Sequence, residues 1–458
     1  MGKTSREVLG TRLGFLLLSA GCAIGLGNIW RFPYITGLYG GAAFVIIYLC
    51  CLLAVTPILI MEIAVGRAAR CNMGRALRKL EPEGTWWHRF GWLALVGSYL
   101  LMMFYTVVTG WLLSYCWFAL TGELSSLDPE GVKNFFFGTL ADVKGQVLGM
   151  SVAVGVGCLV CSLGVRRGIE RIVKLMMAGL FLILILLVFR SLTLPGAGEG
   201  VSFYLAPDFG RLFDKGFFSA CNAALNQAFF TISVGIGSMT IFGSYQPDNR
   251  SLAGEGAWIV SMDTFVAIMA GLVIFPACFA FGVDAGGGPG LIFVTLPNIF
   301  NVMDGGRIWG ILFFVFMAFA ALSTVIAVFE NIISYSIDVW GMSRRASSAL
   351  HFVGLWLCSL PCALGFNVWA DFQPLGKGTS VLDLEDFLIS NNLLFVGTLM
   401  FLFFCCTRWG WGWKNFLAEA NKGEGLRFPH WLKGYLTYVL PCLIILVFVM
   451  GYVERLSK

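Results

Sequence analysis

The stretch Ala23-Ile24-Gly25-Leu26-Gly27-Asn28 interrupts the first long apolar run of the chain, and Ser233-Val234-Gly235-Ile236-Gly237-Ser238 interrupts the sixth run in a similar way. Each glycine costs a helix about 1 kcal/mol relative to alanine. Glycine pairs at corresponding places in two groups of five runs indicate an inverted repeat with a binding site at the membrane midplane. Close helix packing through small residues is the alternative explanation of the glycines alone.

The composition places most of the chain in lipid. Of the 458 residues, 58% are hydrophobic and only 12% are charged, whereas soluble proteins carry roughly 25% charged residues. The net charge of +5 does not indicate a nucleic-acid partner, because the basic residues lie in short loops between apolar runs, as membrane topology requires. We therefore expect one membrane domain over residues 1–458 rather than several soluble domains.

The apolar runs predict an all-α polytopic membrane protein. A membrane helix needs about 20 mostly apolar residues. Eleven runs of this kind lie at about 13–37, 42–65, 91–120, 146–164, 171–191, 217–243, 256–282, 308–339, 347–366, 387–407 and 433–453. They suggest a 5+5 inverted repeat with unwound helices 1 and 6. Repeat one covers about 13–191, repeat two about 217–407, and an extra helix about 433–453.

The distribution of basic residues predicts the orientation. Most of the 31 Lys and Arg residues fall in alternate loops, starting with the amino-terminal segment, and such loops face the cytoplasm. The amino terminus is then cytoplasmic and the carboxyl terminus outside, in a multi-pass protein of the cell inner (plasma) membrane. The first run contains Arg31 and has no small-residue cleavage site, so we interpret it as a membrane helix and not as a signal peptide.

The helix breaks also indicate what the protein binds. Unwinding a helix in lipid frees backbone groups that need partners. Freed carbonyls can hold a sodium ion, and the amino ends of half-helices attract a carboxylate such as that of an amino acid. Side-chain oxygen donors that suit a hard cation flank the breaks or lie in the seventh and eighth runs: Asn28, Thr231, Asp263, Ser323 and Thr324.

The acidic residues Glu62, Asp263 and Glu330 lie inside apolar runs. An ionised carboxylate there costs several kcal/mol unless it is paired, so Asp263 is a candidate ligand, with a protonated or snorkelling side chain as the alternative. For Glu62 and Glu330 the same argument applies, but a structural hydrogen-bonding role is the favoured interpretation. Cys158 and Cys161 form a CxxC pair, but they lie within an apolar run and are interpreted as small hydrophobic residues.

The sequence contains no metal-ligand cluster, phosphate loop or nucleophile elbow, which argues against an enzyme.

The motifs around the breaks resemble one family. Gly25-Leu26-Gly27-Asn28-Ile29-Trp30-Arg31-Phe32-Pro33 resembles the first helix of the neurotransmitter:sodium symporter family, and the likeness extends over nearly the whole chain. Further matching motifs are Pro57, Glu62 and Gly66-Arg67, then Gln227-Ala228-Phe229-Phe230-Thr231 with Ser233, then Ser323-Thr324, and Asp383 with Asp386-Phe387. The resemblance to the bacterial amino-acid transporter branch implies sodium-coupled symport of neutral, hydrophobic or aromatic L-amino acids by alternating access.

The resemblance also implies two sodium sites and a substrate site. The first sodium site would use the Ala23 carbonyl, Asn28, Thr231, Asp263 and the substrate carboxylate. The second would use the Gly21, Ile24 and Ala320 carbonyls with the Ser323 and Thr324 hydroxyls. The substrate carboxylate would meet the Leu26 and Gly27 amides and the Tyr105 hydroxyl. The rest of the substrate site would comprise Cys22, Ala23, Gly25, Leu101, Phe230, Thr231, Ser233, Ile236, Thr324 and Val328.

Two gates follow from the same resemblance. The outer gate would pair Arg31 with Asp386 above an aromatic lid of Tyr105 and Phe230. The inner gate would pair Arg6 with Asp338, close to Ser244 and Tyr245.

Departures from the family pattern refine these expectations. Gly25 replaces the Asp of amine-transporting relatives, so the substrate is expected to be a free amino acid. Ala267 replaces the Ser or Glu of other relatives. Asp263, with Tyr48, Gln227 and Ser233 as hydrogen-bond partners, would then supply the negative charge without chloride. Ala178 replaces a proline that is common in the fifth helix of relatives, which puts inward unwinding there in doubt.

Two other functional classes stay open at this stage. A channel would need a continuous polar lining, which these runs do not offer. A transporter-like substrate sensor would have the same sequence features but would concentrate nothing. The oligomeric state is left open.

Overall fold

A computed structural model describes residues 9–125, 127–283 and 290–456. These ranges are helical, without a β-strand; one isolated β-bridge joins Arg250 and Glu424. The helices of the first part of the chain are α1 Arg12–Ala23, α2 Phe32–Leu38, α3 Ala42–Ala69, α4 Met73–Leu80, α5 Leu93–Thr121, α6 Pro129–Ala141, α7 Val143–Ser162, α8 Arg171–Leu192, α9 Ala197–Leu205 and α10 Phe209–Asp214.

The second part of the chain repeats this mixture of long and short helices. Its helices are α11 Phe217–Thr231, α12 Ser238–Ser244, α13 Leu252–Ala280, α14 Leu296–Val302, α15 Gly306–Trp340, α16 Arg344–Leu364, α17 Val381–Leu388, α18 Leu394–Cys406, α19 Trp413–Ala420, α20 Leu432–Gly434 and α21 Leu440–Leu456. Short π-helical segments precede or join several of them, among them Gly27–Arg31 and Ile389–Leu393.

Within the described ranges, nine helical segments are long and apolar enough to cross a membrane. A tenth span is the pair Arg12–Ala23 and Gly27–Leu38, which is bent by 54°. The remaining predicted span, 217–243, is divided between α11 and α12, of 15 and 7 residues. The all-α polytopic fold is thus confirmed, while the total of eleven spans and the inverted repeat stay predictions.

The long helices are apolar on all sides because they face either each other or lipid. The central helix α15 packs along α5, α7 and α8, and α3 packs along α11 and α12. The contact of α3 with α12 is close because both helices present glycine. A Cβ atom on Gly66 would lie 1.8 Å from the Thr240 carbonyl oxygen, and one on Gly243 would lie 2.2 Å from that of Ile63. These contacts fix α12 beside α3 and so position the second break.

Ion pairs hold the loops at the end of the molecule where α3 terminates. The buried guanidinium of Arg67 donates to Glu419 in α19 and to the carbonyl of Arg250. Asp248 pairs with Arg70 and Lys422. Partial burial alone would raise the pKa of Asp248, but the hydrogen bond from Lys422 and the charge of Arg70 outweigh it and hold the pKa below its ordinary value.

Candidate functional site

The first break is a turn with few backbone hydrogen bonds of its own. The chain leaves α1 at Ala23, and Ile24 adopts an extended conformation. The freed amides find other partners: the N–H of Gly25 donates to Asn28 Oδ1 at 3.1 Å, and the N–H of Leu26 donates to the Tyr105 hydroxyl at 3.1 Å. Tyr105 therefore reaches one of the amides that the sequence assigned to a substrate carboxylate.

The second break lies between Thr231 and Ser238 and faces the first. Ser233 has φ 51° and Gly235 φ 96°, values in the left-handed region that only glycine adopts without strain. The N–H of Gly235 donates to Glu62 Oε1 at 2.5 Å, so Glu62 has a hydrogen-bonding role at the break. The Ser233 hydroxyl donates to the Cys22 carbonyl at 3.3 Å and connects the two breaks.

A first oxygen cluster, Asn28, Thr231 and Asp263, lies beside the first break. Asn28 Nδ2 donates to Asp263 Oδ1 at 2.8 Å, and the Thr231 hydroxyl is 3.0 and 3.2 Å from the two Asp263 oxygens. All three side chains are buried. Asn28 and Thr231 are neutral, so their hydrogen bonds do not balance the charge of the buried carboxylate. A sodium ion beside the carboxylate would balance it, and oxygen atoms are the ligands that such a hard cation prefers.

The predicted partners of Asp263 need a correction. Gln227 Nε2 donates to the Gly27 carbonyl at 2.8 Å, and Ser233 bonds to Cys22 rather than to the acid. The buried Tyr48 hydroxyl lies close enough to interact with Asp263, but its side-chain contact is with Thr231. Asn28 and Thr231 hydrogen-bond to the carboxylate instead, because the first break brings Asn28 back towards α13 while Thr231 ends α11 opposite it.

A second oxygen cluster contains the carbonyls of Gly21, Ile24 and Ala320 and the hydroxyls of Ser323 and Thr324. The Thr324 hydroxyl lies 3.2, 3.3 and 3.2 Å from the carbonyl oxygens of Gly21, Ile24 and Ala320. Ser323 donates to Ala320 at 2.9 Å. One hydroxyl proton cannot serve three carbonyls, so the cluster has acceptor capacity to spare for a cation. The residues therefore fit a sodium ion.

A small cavity of about 20 Å³ lies between the two breaks. Its lining residues are Cys22, Ala23, Gly25, Gly27, Leu101, Tyr105, Phe230, Ser233, Ile236, Thr324, Ile389 and Leu394. The structure thus brings together ten residues that the sequence assigned to the substrate site. These lining side chains carry no formal charge, so the cavity suits an uncharged side chain.

Three of the predicted substrate residues do not line this cavity, and two lining residues were not predicted. Val328 is fully buried one helical turn beyond Thr324 and does not line the cavity. Thr231 contacts Asp263, and Leu26 lines an outer vestibule. Ile389 and Leu394 of the α17–α18 span complete the wall. No sequence motif pointed to them, because their place depends on how that span packs against the second break.

The outer vestibule, of about 790 Å³, is separated from the cavity by residues that line both, namely Gly27, Tyr105 and Phe230. Tyr105 and Phe230 therefore occupy the position expected of an aromatic lid. The guanidinium carbon of Arg31 lies 4.7 Å from the centre of the Phe230 ring. Such a cation–π contact stabilises the ring in this closed position.

The outer gate differs in one respect from the expected direct pair. Arg31 Nη1 and the Ser390 hydroxyl are 3.3 Å apart, and that hydroxyl donates to Asp386 Oδ1 at 2.7 Å. Among the described ion pairs, none joins Arg31 directly to Asp386. Ser390 follows Asp386 by four residues and lies in the π-helical segment Ile389–Leu393. Its hydroxyl therefore lies between the two charged groups and contacts both.

At the opposite end, the expected inner gate is described only in part. Arg6 lies outside the described residues. Asp338 Oδ2 accepts a hydrogen bond from the Asn72 N–H at 2.6 Å. The Tyr245 hydroxyl donates to Glu330, which also pairs with Arg344 at 2.6 Å. Glu330 is therefore held by hydrogen bonds and an ion pair. This agrees with the structural role that was one of the two predicted for it.

Interrupted helices that surround a closed cavity, with oxygen clusters at its side and a lid above it, define the class of polytopic membrane transporters. The comparisons with known proteins agree with this class. The model of the Sodium:neurotransmitter symporter family matches residues 6–129 and 138–457. The chain is 35% identical over 441 residues to the uncharacterized sodium-dependent transporter YhdH of Bacillus subtilis, covering 96% of each protein.

Two further similarities extend over nearly the whole length. An uncharacterized sodium-dependent transporter of Haemophilus influenzae is 31% identical, with 97% of this chain and 98% of the relative covered. The crystal structure of MhsT in complex with L-phenylalanine superposes with a TM-score of 0.87 at 36% identity, covering 97% and 99% of the two chains. The chain belongs to the sodium:neurotransmitter symporter family, and it is a multi-pass, sodium-dependent transporter.

Proposed function

We propose that the protein is a sodium-coupled symporter that concentrates neutral, apolar or aromatic L-amino acids by alternating access. The observation that carries the proposal is the cavity between the two breaks, whose lining is uncharged and largely apolar. Backbone amides at the breaks and the Tyr105 hydroxyl would bind the substrate carboxylate, and the first oxygen cluster would bring a sodium ion beside it. The phenylalanine in the related MhsT structure supports an amino-acid substrate.

Two sodium ions would bind, one at each oxygen cluster. The substrate and the ions enter from the vestibule, after which the lid closes and a bundle of the first, second, sixth and seventh spans rocks against the other spans. The basic loops would face the cytoplasm of a plasma membrane, with the carboxyl terminus outside. The transmembrane potential adds about 2.3 kcal/mol per charge per 100 mV to the driving force.

The proposal is tested by ligand-dependent thermal stabilisation in sodium and in potassium. Tyrosine should raise the melting temperature in sodium, and tyramine should not, because the backbone amides need a carboxylate and Gly25 offers no acidic side chain to pair with an amine. Phenylalanine and leucine should stabilise more than glycine or lysine. Stronger stabilisation by tyramine than by tyrosine would overturn the assignment of the substrate class.

Leu394 is expected to limit the size of the accepted side chain. Leu394→Ala removes apolar atoms from the cavity wall, and each buried methylene counts for about 0.8 kcal/mol. The ratio of tryptophan to leucine uptake should therefore rise about tenfold. Leu399→Ala, on the same helix but outside the cavity, is the control. An unchanged ratio in Leu394→Ala would show that this wall does not set selectivity.

Transport is expected to proceed without chloride. Asp263 is a fixed carboxylate within the first oxygen cluster, and Ala267, one helical turn later, is buried and offers no anion ligand. The carboxylate would offset the charge of the bound sodium. Uptake should be equal in sodium chloride and in sodium gluconate. A fall of several-fold in gluconate at constant sodium would contradict this expectation.

A further inference from the structure

An apolar groove lies on the outside of the molecule, apart from the transport cavity. It has a volume of about 360 Å³ between α18 and the segment that leads into α5, and its lining residues are Trp86, Trp87, Phe90, Val396, Leu399, Met400 and Phe403. The four α18 positions follow the i, i+3, i+4, i+7 spacing of a single helix face. Val396 is 41% and Phe403 37% exposed, so this face lies on the surface of the protein.

Two arginines in the segments next to the groove lie over tryptophan rings. The guanidinium carbon of Arg89 lies 4.8 Å from the Trp86 ring, and that of Arg408 lies 5.7 Å from the Trp409 ring. Trp87 Nε1 donates to the Trp409 carbonyl at 2.6 Å and joins the two sides. Within the described part of the chain, neither arginine pairs with a carboxylate.

This combination has the chemistry of a lipid site. Tryptophan and arginine are enriched where a membrane protein passes from hydrocarbon to headgroups. An acyl chain gains little free energy by moving from bulk lipid into an apolar groove, because lipid tails are as apolar as the groove lining. A preference for one lipid must therefore come from Arg89 and Arg408, whose guanidinium groups suit a phosphate and a headgroup with a net negative charge.

We propose that the groove binds an anionic phospholipid, with an acyl chain along α18 and the headgroup phosphate between Arg89 and Arg408. The tryptophan rings under the arginines keep the guanidinium groups at the depth of the phosphates. The site is independent of the transport cavity, so the proposal stands or falls separately from the substrate assignment.

The test measures lipid retention by the purified full-length protein with native mass spectrometry. The probes are phosphatidylglycerol and phosphatidylcholine with identical acyl chains. Each basic residue near a membrane surface contributes about a fivefold preference for anionic lipid. We expect the parent to retain phosphatidylglycerol over phosphatidylcholine by at least tenfold.

The variant Arg89→Gln with Arg408→Gln should bring the two lipids to parity. The matched control, Arg345→Gln with Arg427→Gln, also removes two exposed arginines outside the groove and should keep the parental preference. Equal sodium-dependent thermal stability of all three proteins shows that each is folded. Equal retention of the two lipids by the parent, or an unchanged preference in the groove variant, would overturn the proposal.

A second copy of the chain is the competing occupant of the groove. Cysteine introduced at Val396 should react with a lipid-soluble thiol reagent in phosphatidylglycerol vesicles without forming cross-linked dimers, judged against the parent's own cysteines. Efficient dimer formation through this position would assign the groove to a protein contact and would refute lipid binding.

Discussion

Asp263→Asn is expected to reduce sodium-dependent amino-acid uptake to the level of liposomes without protein. Asp263 carries the formal negative charge of the first oxygen cluster, and Asn28 and Thr231 contact it with neutral groups. An amide has nearly the same shape but cannot balance a buried cation. Hydrogen bonds to a charged group contribute about 1.5–3 kcal/mol each, so the loss of one charged ligand weakens sodium binding by tenfold or more.

The measurement is uptake by reconstituted protein together with sodium-dependent thermal stabilisation. The stabilisation separates failure to bind sodium from failure to fold, because a folded variant still shows a cooperative transition in the absence of sodium. Asp371→Asn, an exposed acid in the loop after α16, is the control and should behave as the parent. Parental sodium dependence in Asp263→Asn would remove this residue from the ion site.

Gly25→Ala is expected to lower substrate affinity by about ten- to hundredfold. A Cβ atom at Gly25 would lie 2.5 Å from the Tyr105 hydroxyl and 2.7 Å from Thr324 Oγ1. Tyr105 binds the Leu26 amide, and Thr324 belongs to the second oxygen cluster, so neither side chain can retreat without loss. Overpacking of this kind costs about 1–3 kcal/mol.

The control for this substitution is Gly138→Ala. Gly138 also lies in a helix, but nothing approaches its Cβ position within 4 Å. The effect is measured as the amino-acid concentration that gives half-maximal stabilisation in sodium. An affinity for Gly25→Ala equal to that of the parent would mean that the substrate does not occupy the space between Tyr105 and Thr324.

The fold and the proposed ion ligands could be predicted because their signals are local. Long apolar runs specify membrane helices, and glycine pairs such as Gly25 and Gly27 mark where a helix must break. A polar residue inside an apolar run needs a partner in lipid, which is why Asn28, Thr231 and Asp263 could be expected to meet. The structure brings these three side chains within hydrogen-bond distance.

The rest of the site depends on packing between distant segments and has no local signal. Ile389 and Leu394 look like ordinary apolar residues of a membrane span, and only the contact of α18 with the second break places them at the cavity. The carbonyl oxygen of Leu394 would lie 2.5 Å from a Cβ atom on Gly235, which shows how close that approach is. The π-helical turn that puts Ser390 between Arg31 and Asp386 is likewise invisible in residue spacing, because it changes the helical period locally.

The most direct test of the proposed symport is the accumulation of L-phenylalanine in proteoliposomes. An inward sodium gradient should drive the internal concentration above the external one, and collapse of the gradient with a sodium ionophore should release the accumulated substrate. A channel would only equilibrate the amino acid, and a sensor would move none. Accumulation that survives replacement of sodium by potassium, or equilibration without accumulation, would contradict sodium-coupled symport.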